Sequence, residues 1–271
     1  MTSKLRLPSE IPIEEYPSPS IFIEEALSCV KEAAEKGIIL RVMGSVGIYL
    51  HTVEYRELWE KLTIGERIFK DIDFASYGKF REKILDFFKK RGYKIDRRLQ
   101  MHYGMKRHIY FGDKVPMVEV FFDKLEMNHT IDFRKRLETD FPTIPLSELL
   151  LQKTQIVKIN ERDIKHTIVL LRAHDVGKGD NETINLEALA RAGLTSDWGF
   201  YYTVTTNLQK VKDFARGNDI LTENDKTIII ERIEKILNYI EEQPKSLNWK
   251  LRAKIGTKKQ WYNEVEDWVF L

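Results

Sequence analysis

The sequence has a single cysteine, Cys29, among its 271 residues. An internal disulfide needs two and a cysteine-based zinc site needs more than one, so both are excluded, and this usage fits a reducing cytosol. Long apolar runs are missing as well. Nothing approaches the length that a membrane span requires, and the opening stretch from Met1 to Glu10 lacks the apolar centre of a signal peptide. The expectation is a cytoplasmic protein with no membrane partner. An excess of one charge is also missing: 44 Lys and Arg against 42 Asp and Glu leave a net +2. No global field therefore favours nucleic acid or an anionic membrane, and any nucleic-acid contact has to be local. What is present is apolar mass. With 42% hydrophobic and 11% aromatic residues, the chain can bury a sizeable core in one large or two modest domains.

Within that background, Lys70-Asp71-Ile72-Asp73-Phe74 places two carboxylates one residue apart in an apolar run. In an extended strand the side-chain period is two, so Asp71 and Asp73 share one face while Ile72 and Phe74 turn to the other, toward a core. Neighbouring like charges raise each other's pKa unless a cation joins them, and paired hard oxygen ligands suit Mg2+ or Mn2+. An edge strand with a solvated acidic face is the alternative. Arg67 and Lys70 stand close by in sequence, either to neutralise the acids or touch a phosphate, or as solvated surface cations.

The surrounding pattern alternates helix and strand. Four prolines make the first twenty residues an irregular lead-in. Ile21, Ile23, Ala26, Leu27, Val30 and Ala33 predict a helix over 20–36, stopped by Gly37. Ile38 to Met43 reads as a strand, broken at Gly44-Ser45 before the amphipathic Val46 to Leu50. Such a turn presents the free N–H groups of a helix start, and the Ser45 hydroxyl, at a strand end where an anion is favoured. Tyr55, Leu58, Trp59 and Leu62 have helical spacing. After the Asp71 strand a helix is predicted over 78–91 with Gly92 as its C-cap, then strands over 93–100, 107–111 and 117–122. Gly112-Asp113-Lys114 signals a hairpin between the last two. Glu119, between Val118 and Val120, is a charge in what reads as a central strand, where an unpaired carboxylate is costly. A metal shared with Asp71 and Asp73 meets that cost; an edge strand with Glu119 in water is the alternative.

Gly44-Ser45 after an apolar strand, Asp71-Ile72-Asp73 on the next, a helix, and Val118-Glu119-Val120 on a later strand resemble the three-part signature of the nucleotidyltransferase superfamily. That superfamily includes DNA polymerase beta, the minimal nucleotidyltransferases and the abortive-infection toxin type. The resemblance spans about Ile38 to Asp123 and continues into Leu149 to Leu171. It implies that Asp71, Asp73 and Glu119 hold Mg2+ or Mn2+ and that Gly44 and Ser45 bind a triphosphate. Leu149 to Gln155 and Asn160 to Ile164 resemble the helical segment in which a lysine and a basic-Asp pair approach the nucleotide, which makes Lys153 and Arg162 nucleotide-binding candidates. This chain departs from the family in a longer gap between Ser45 and Asp71, implying an inserted helix, and in a Glu at the third acidic position.

Pro142 to Ser147 punctuates the chain, with Ser147 the expected N-cap of a helix over 148–159. The expected division is a catalytic domain over 1–145 and a helical domain over 146–271. His129 has no second histidine at ligand spacing and reads as structural. Helices follow at 186–192, from Asp197 to Phe214, and over 222–242, where the aromatic run Trp198 to Tyr202 reads as packing. In the tail, Lys250, Arg252, Lys254, Lys258 and Lys259 mix with Trp261 and Trp268, the one local hint of a nucleic-acid acceptor against a solvated helix face. The expectation is an α/β (α+β) protein: a mixed sheet flanked by helices, then a mostly helical part. As a nucleotidyltransferase it moves an NMP from a metal-bound NTP to a hydroxyl on protein, tRNA or a small molecule. The rival is a non-catalytic nucleotide-binding or interaction module.

Overall fold

A computed structural model describes residues 7–265; Trp268, part of the basic-aromatic tail, lies outside the described residues. The lead-in makes two short 3-10 turns, and Pro19 then opens α1 (Pro19–Glu35), as suits a residue with no N–H to satisfy. Next come β1 (Leu40–Met43), α2 (Gly44–His51), α3 (Arg56–Leu62) and β2 (Ile72–Ser76). After α4 (Arg81–Lys90), β3 (Lys94–Ile95), α5 (Arg97–Tyr103), β4 (Arg107–Phe111) and β5 (Met117–Phe122), two short strands, β6 (Lys124–Glu126) and β7 (Thr130–Asp132), form a hairpin.

The second half of the strand expected over 93–100 is helix. Only Lys94 and Ile95 pair with β4, because the Asp96 side chain accepts from the Arg98 and Leu99 N–H groups and caps α5. A side chain that satisfies the first free donors of a helix turns the chain away from strand pairing.

The second half contains α6 (Leu146–Thr154), α7 (Glu161–Ala173), the parallel pair β8 (Asp175–Gly177) and β9 (Thr183–Asn185), α8 (Leu186–Leu189), α9 (Trp198–Arg216), α10 (Glu223–Glu242) and α11 (Leu247–Ile255). Ser147 does not cap α6, which begins one residue earlier. Its hydroxyl accepts from the Asn185 N–H at 2.7 Å and so ties α6 to β9. Asn160 and Thr222 do cap α7 and α10.

The strands form one five-stranded mixed sheet in the order β1-β2-β5-β4-β3, with β2 and β5 parallel and the other pairs antiparallel. Glu119 is therefore in the central strand. Alternation sends Val42, Ile72, Phe74, Val118 and Val120 to one face, where they pack with Phe22, Val30, Ile84 and Phe88 of α1 and α4. Each such fully buried large apolar side chain stabilises by roughly 1.5–3 kcal/mol. The opposite face carries Met43, Ala75 and Phe121 into a cluster with Leu149, Leu150 and Ile168 of α6 and α7 and with the later helices. The acids stand on that second face, roofed by helices. Among the described residues no helix is long and apolar enough to cross a membrane.

Candidate active site

Parallel register sets Asp73 of β2 directly beside Glu119 of β5, and Asp71 immediately precedes β2 on the same face. On the other side of β2, Asp73 pairs with Met43, and the chain turns there into α2. Gly44 makes that turn with φ of +69°, a conformation that L side chains rarely adopt. A Cβ on Gly44 would stand 2.3 Å from Asp73 Oδ2, so the absence of a side chain makes room for the carboxylate. Substituting a branched residue here disturbs the fold itself, not phosphate binding alone.

Asp71, Asp73 and Glu119 line a cavity of about 360 Å3 together with Gln152 and Lys153 of α6 and the apolar Phe121, Leu125 and Met127. Burial pushes the Asp73 carboxyl well above its ordinary value; Asp71 and Glu119 add to that push, and Lys153 and Arg107 oppose it. Burial also raises Asp71, against Lys153, Arg162 and Lys70. Glu119 is pushed up to about 7, chiefly by burial, although Arg107 pulls the other way. Among the described residues no side chain or backbone N–H donates a hydrogen bond to the Asp73 carboxylate. Three acids thus share one hydrogen-bonded cation, although their oxygens are not drawn together within 4.8 Å as those of His51, His174 and Glu182 are. The donors are all carboxylate oxygens, which fits Mg2+ or Mn2+.

Two participants were not legible as such from sequence. Arg107 Nη1 donates to Glu119 Oε2 at 3.1 Å while its guanidinium lies over the Tyr103 ring. The Gln152 side chain accepts from the Gly44 N–H at 2.8 Å. That bond occupies a helix-start N–H expected to meet phosphate, and neither Gly44 nor the buried Ser45 is among the residues lining the cavity.

The candidate cations divide. Lys153 lines the cavity and pairs with Asp163 at 2.9 Å. Arg162 is close enough to Asp71 to lower it, but both ends of its guanidinium are spent on the Arg67 and Ile68 carbonyls at 2.7 Å. Arg67 is not at the site: it donates to the Pro8 and Ile11 carbonyls and stacks on Tyr16, so it anchors the lead-in. Lys70 is exposed and acts on Asp71 through charge. His129 is structural, as expected, bonded to Thr203 at 2.8 Å and stacked on Phe200. Trp261 of the tail packs on Tyr202 and donates to Thr203. No family model matches the sequence, and neither the curated proteins nor the solved structures compared with it give a match.

Proposed function

We propose that this cavity binds a divalent cation with a nucleoside triphosphate and transfers the NMP to a hydroxyl acceptor. The observation that carries the reading is the register of β2 against β5, which groups Asp71, Asp73 and Glu119 under a cavity faced by Lys153. Asp71, Asp73 and Glu119 would hold Mg2+ or Mn2+; when bound, the metal activates the attacking hydroxyl and offsets the charge of the leaving pyrophosphate. Glu119, oriented by Arg107 and kept ionised when the metal is bound, would accept the acceptor's proton directly or through water. Lys153 meets phosphate oxygens by charge and orients the triphosphate. The apolar wall of Phe121, Leu125 and Met127 limits water around the reacting groups.

A second reading, a nucleotide-binding module without turnover, draws support from Arg67 and Arg162, whose guanidinium groups are held by backbone carbonyls. One experiment separates the two. Protein incubated in a cell extract with NTPs labelled at the alpha phosphate and Mg2+ or Mn2+ is expected to label a protein or RNA acceptor, and the Asp71→Ala, Asp73→Ala variant to label nothing. Equal labelling by both proteins sinks the assignment. NTP binding without transfer of any of the four labelled nucleotides favours the second reading.

A further inference from the structure

The opposite end of α2 carries a different cluster, built from residues far apart in sequence. His51 closes α2, His174 is the C-cap of α7, and Glu182 precedes β9 with φ of +44°. His51 Nδ1 lies 3.6 Å and His174 Nδ1 3.4 Å from the same oxygen, Glu182 Oε2. Both imidazoles are buried to within a few per cent, whereas the Glu182 side chain is 65% exposed.

The far nitrogen of each ring makes its shorter contacts. His174 Nε2 lies 2.8 Å from the His51 carbonyl and Nδ1 3.4 Å from the Glu182 carbonyl, both acceptors; the shorter contact favours the hydrogen on Nε2, which leaves the Nδ1 lone pair for a metal. His51 Nε2 lies 3.1 Å from Asp140 Oδ2 and 2.5 Å from Thr143 Oγ1. Donation to the Asp140 carboxylate leaves the His51 Nδ1 lone pair facing inward too. With that proton placement, two lone pairs and one carboxylate oxygen face one another, all within 4.8 Å.

That is the donor set and the outer support of a histidine metal site. Metal-bound histidines give their other N–H to a carbonyl or carboxylate, which sets the tautomer and the ring direction. Zinc ligands at about 2.0–2.2 Å in tetrahedral array stand about 3.4 Å apart, close to the 3.4 and 3.6 Å separations here. We propose that His51, His174 and Glu182 bind one divalent transition-metal ion, Zn2+ foremost, with the fourth position open to water. Two imidazoles discriminate against Mg2+, so this ion is distinct from the one the acids take. It fastens the segment between β8 and β9 to the ends of α2 and α7.

The test uses the untagged full chain, stripped by a chelator and titrated with Zn2+ against a chromophoric competitor. Wild type is expected to bind one equivalent in the presence of excess Mg2+ and to melt at a higher temperature when loaded. Co2+ in its place is expected to show the visible bands of tetrahedral coordination. Glu182→Gln, a change at an exposed side chain, is expected to weaken Zn2+ at least tenfold and Asp140→Asn about tenfold, while Asp73→Asn keeps wild-type affinity. The proposal is overturned if wild type binds no equivalent, if Glu182→Gln and His174→Gln both keep wild-type affinity, or if Asp73→Asn removes the equivalent.

Discussion

Glu25, buried, and Asp73, half-buried, are carboxylates on opposite sides of the same sheet, and their surroundings drive them in opposite directions. Glu25, on α1, receives Arg91 through Nε and Nη2 at 3.1 and 2.9 Å, the Tyr93 hydroxyl at 3.2 Å and Lys114 at 2.8 Å. Burial pushes its pKa up, but the hydrogen bonds from Lys114 and Arg91 outweigh that push and hold it below the ordinary carboxylate value. Asp73 has burial and two neighbouring acids against it, and its carboxyl is held well above the ordinary value. A fold can hold a buried carboxylate by giving it cations, as at Glu25. At Asp73 the cations Lys153 and Arg107 act only through charge, without a hydrogen bond among the described residues, and under the proposed function that carboxylate is left for an incoming ion.

The comparison breaks most visibly on the satisfied side. Arg91→Met leaves Glu25 with Lys114 and the Tyr93 hydroxyl as partners, so the loss is expected at about 3 kcal/mol, that of a charged hydrogen bond rather than of a wholly stranded charge. Chemical denaturation is expected to show that loss, with Mg2+ or Mn2+ affinity unchanged. On the unsatisfied side the same logic has the opposite sign. Asp73→Asn removes the most strongly opposed charge, so the metal-free protein is expected to gain on the order of 2 kcal/mol at neutral pH. Stabilisation by added Mn2+, present in wild type through linkage, is expected to vanish. A metal-free Asp73→Asn protein that melts below wild type would falsify this account.

Much of this arrangement was legible because it depends on short periods. Alternation along 70–74 and 118–122 put the three acids on one face, and helical spacing set α1, α9 and α10 to within a few residues. Arg107 was not legible in that way: only once Phe111 pairs with Met117 across the loop does Arg107 fall opposite Phe121, on the same face as Glu119. Its role depends on register, which propensity alone does not provide. Arg67 could not be placed, because its partners are carbonyls of an irregular segment 56 and 59 residues away. The strand expected after Gly92 failed where one side-chain cap at Asp96 outweighed pairing tendency. His51, His174 and Glu182 carry no spacing signal at all, since tertiary packing alone brings them together.

The smallest expected effect is a pH dependence that sharpens the same contrast. Folding raises Glu119 from its ordinary 4.5 to about 7, so in that interval the folded chain keeps a proton that the unfolded chain has lost. Its contribution is therefore fully present below the interval and declines as pH rises through it. Glu25 runs the other way: its pKa is lowered in the folded state, so its contribution is present above the ordinary carboxylate value and declines on acidification. One proton bound at Glu119 corresponds to at most about 1.4 kcal/mol for each pH unit. Metal-free wild type and Glu119→Gln compared by denaturation one unit apart, at pH 5.5 and 6.5 for instance, are expected to differ in slope by on the order of 1 kcal/mol per unit. Saturating Mn2+ should cancel that difference, because the bound cation holds Glu119 ionised throughout. Parallel curves for the two metal-free proteins would mean that Arg107 fully compensates Glu119, leaving Asp71 and Asp73 as the only acids held for a cation.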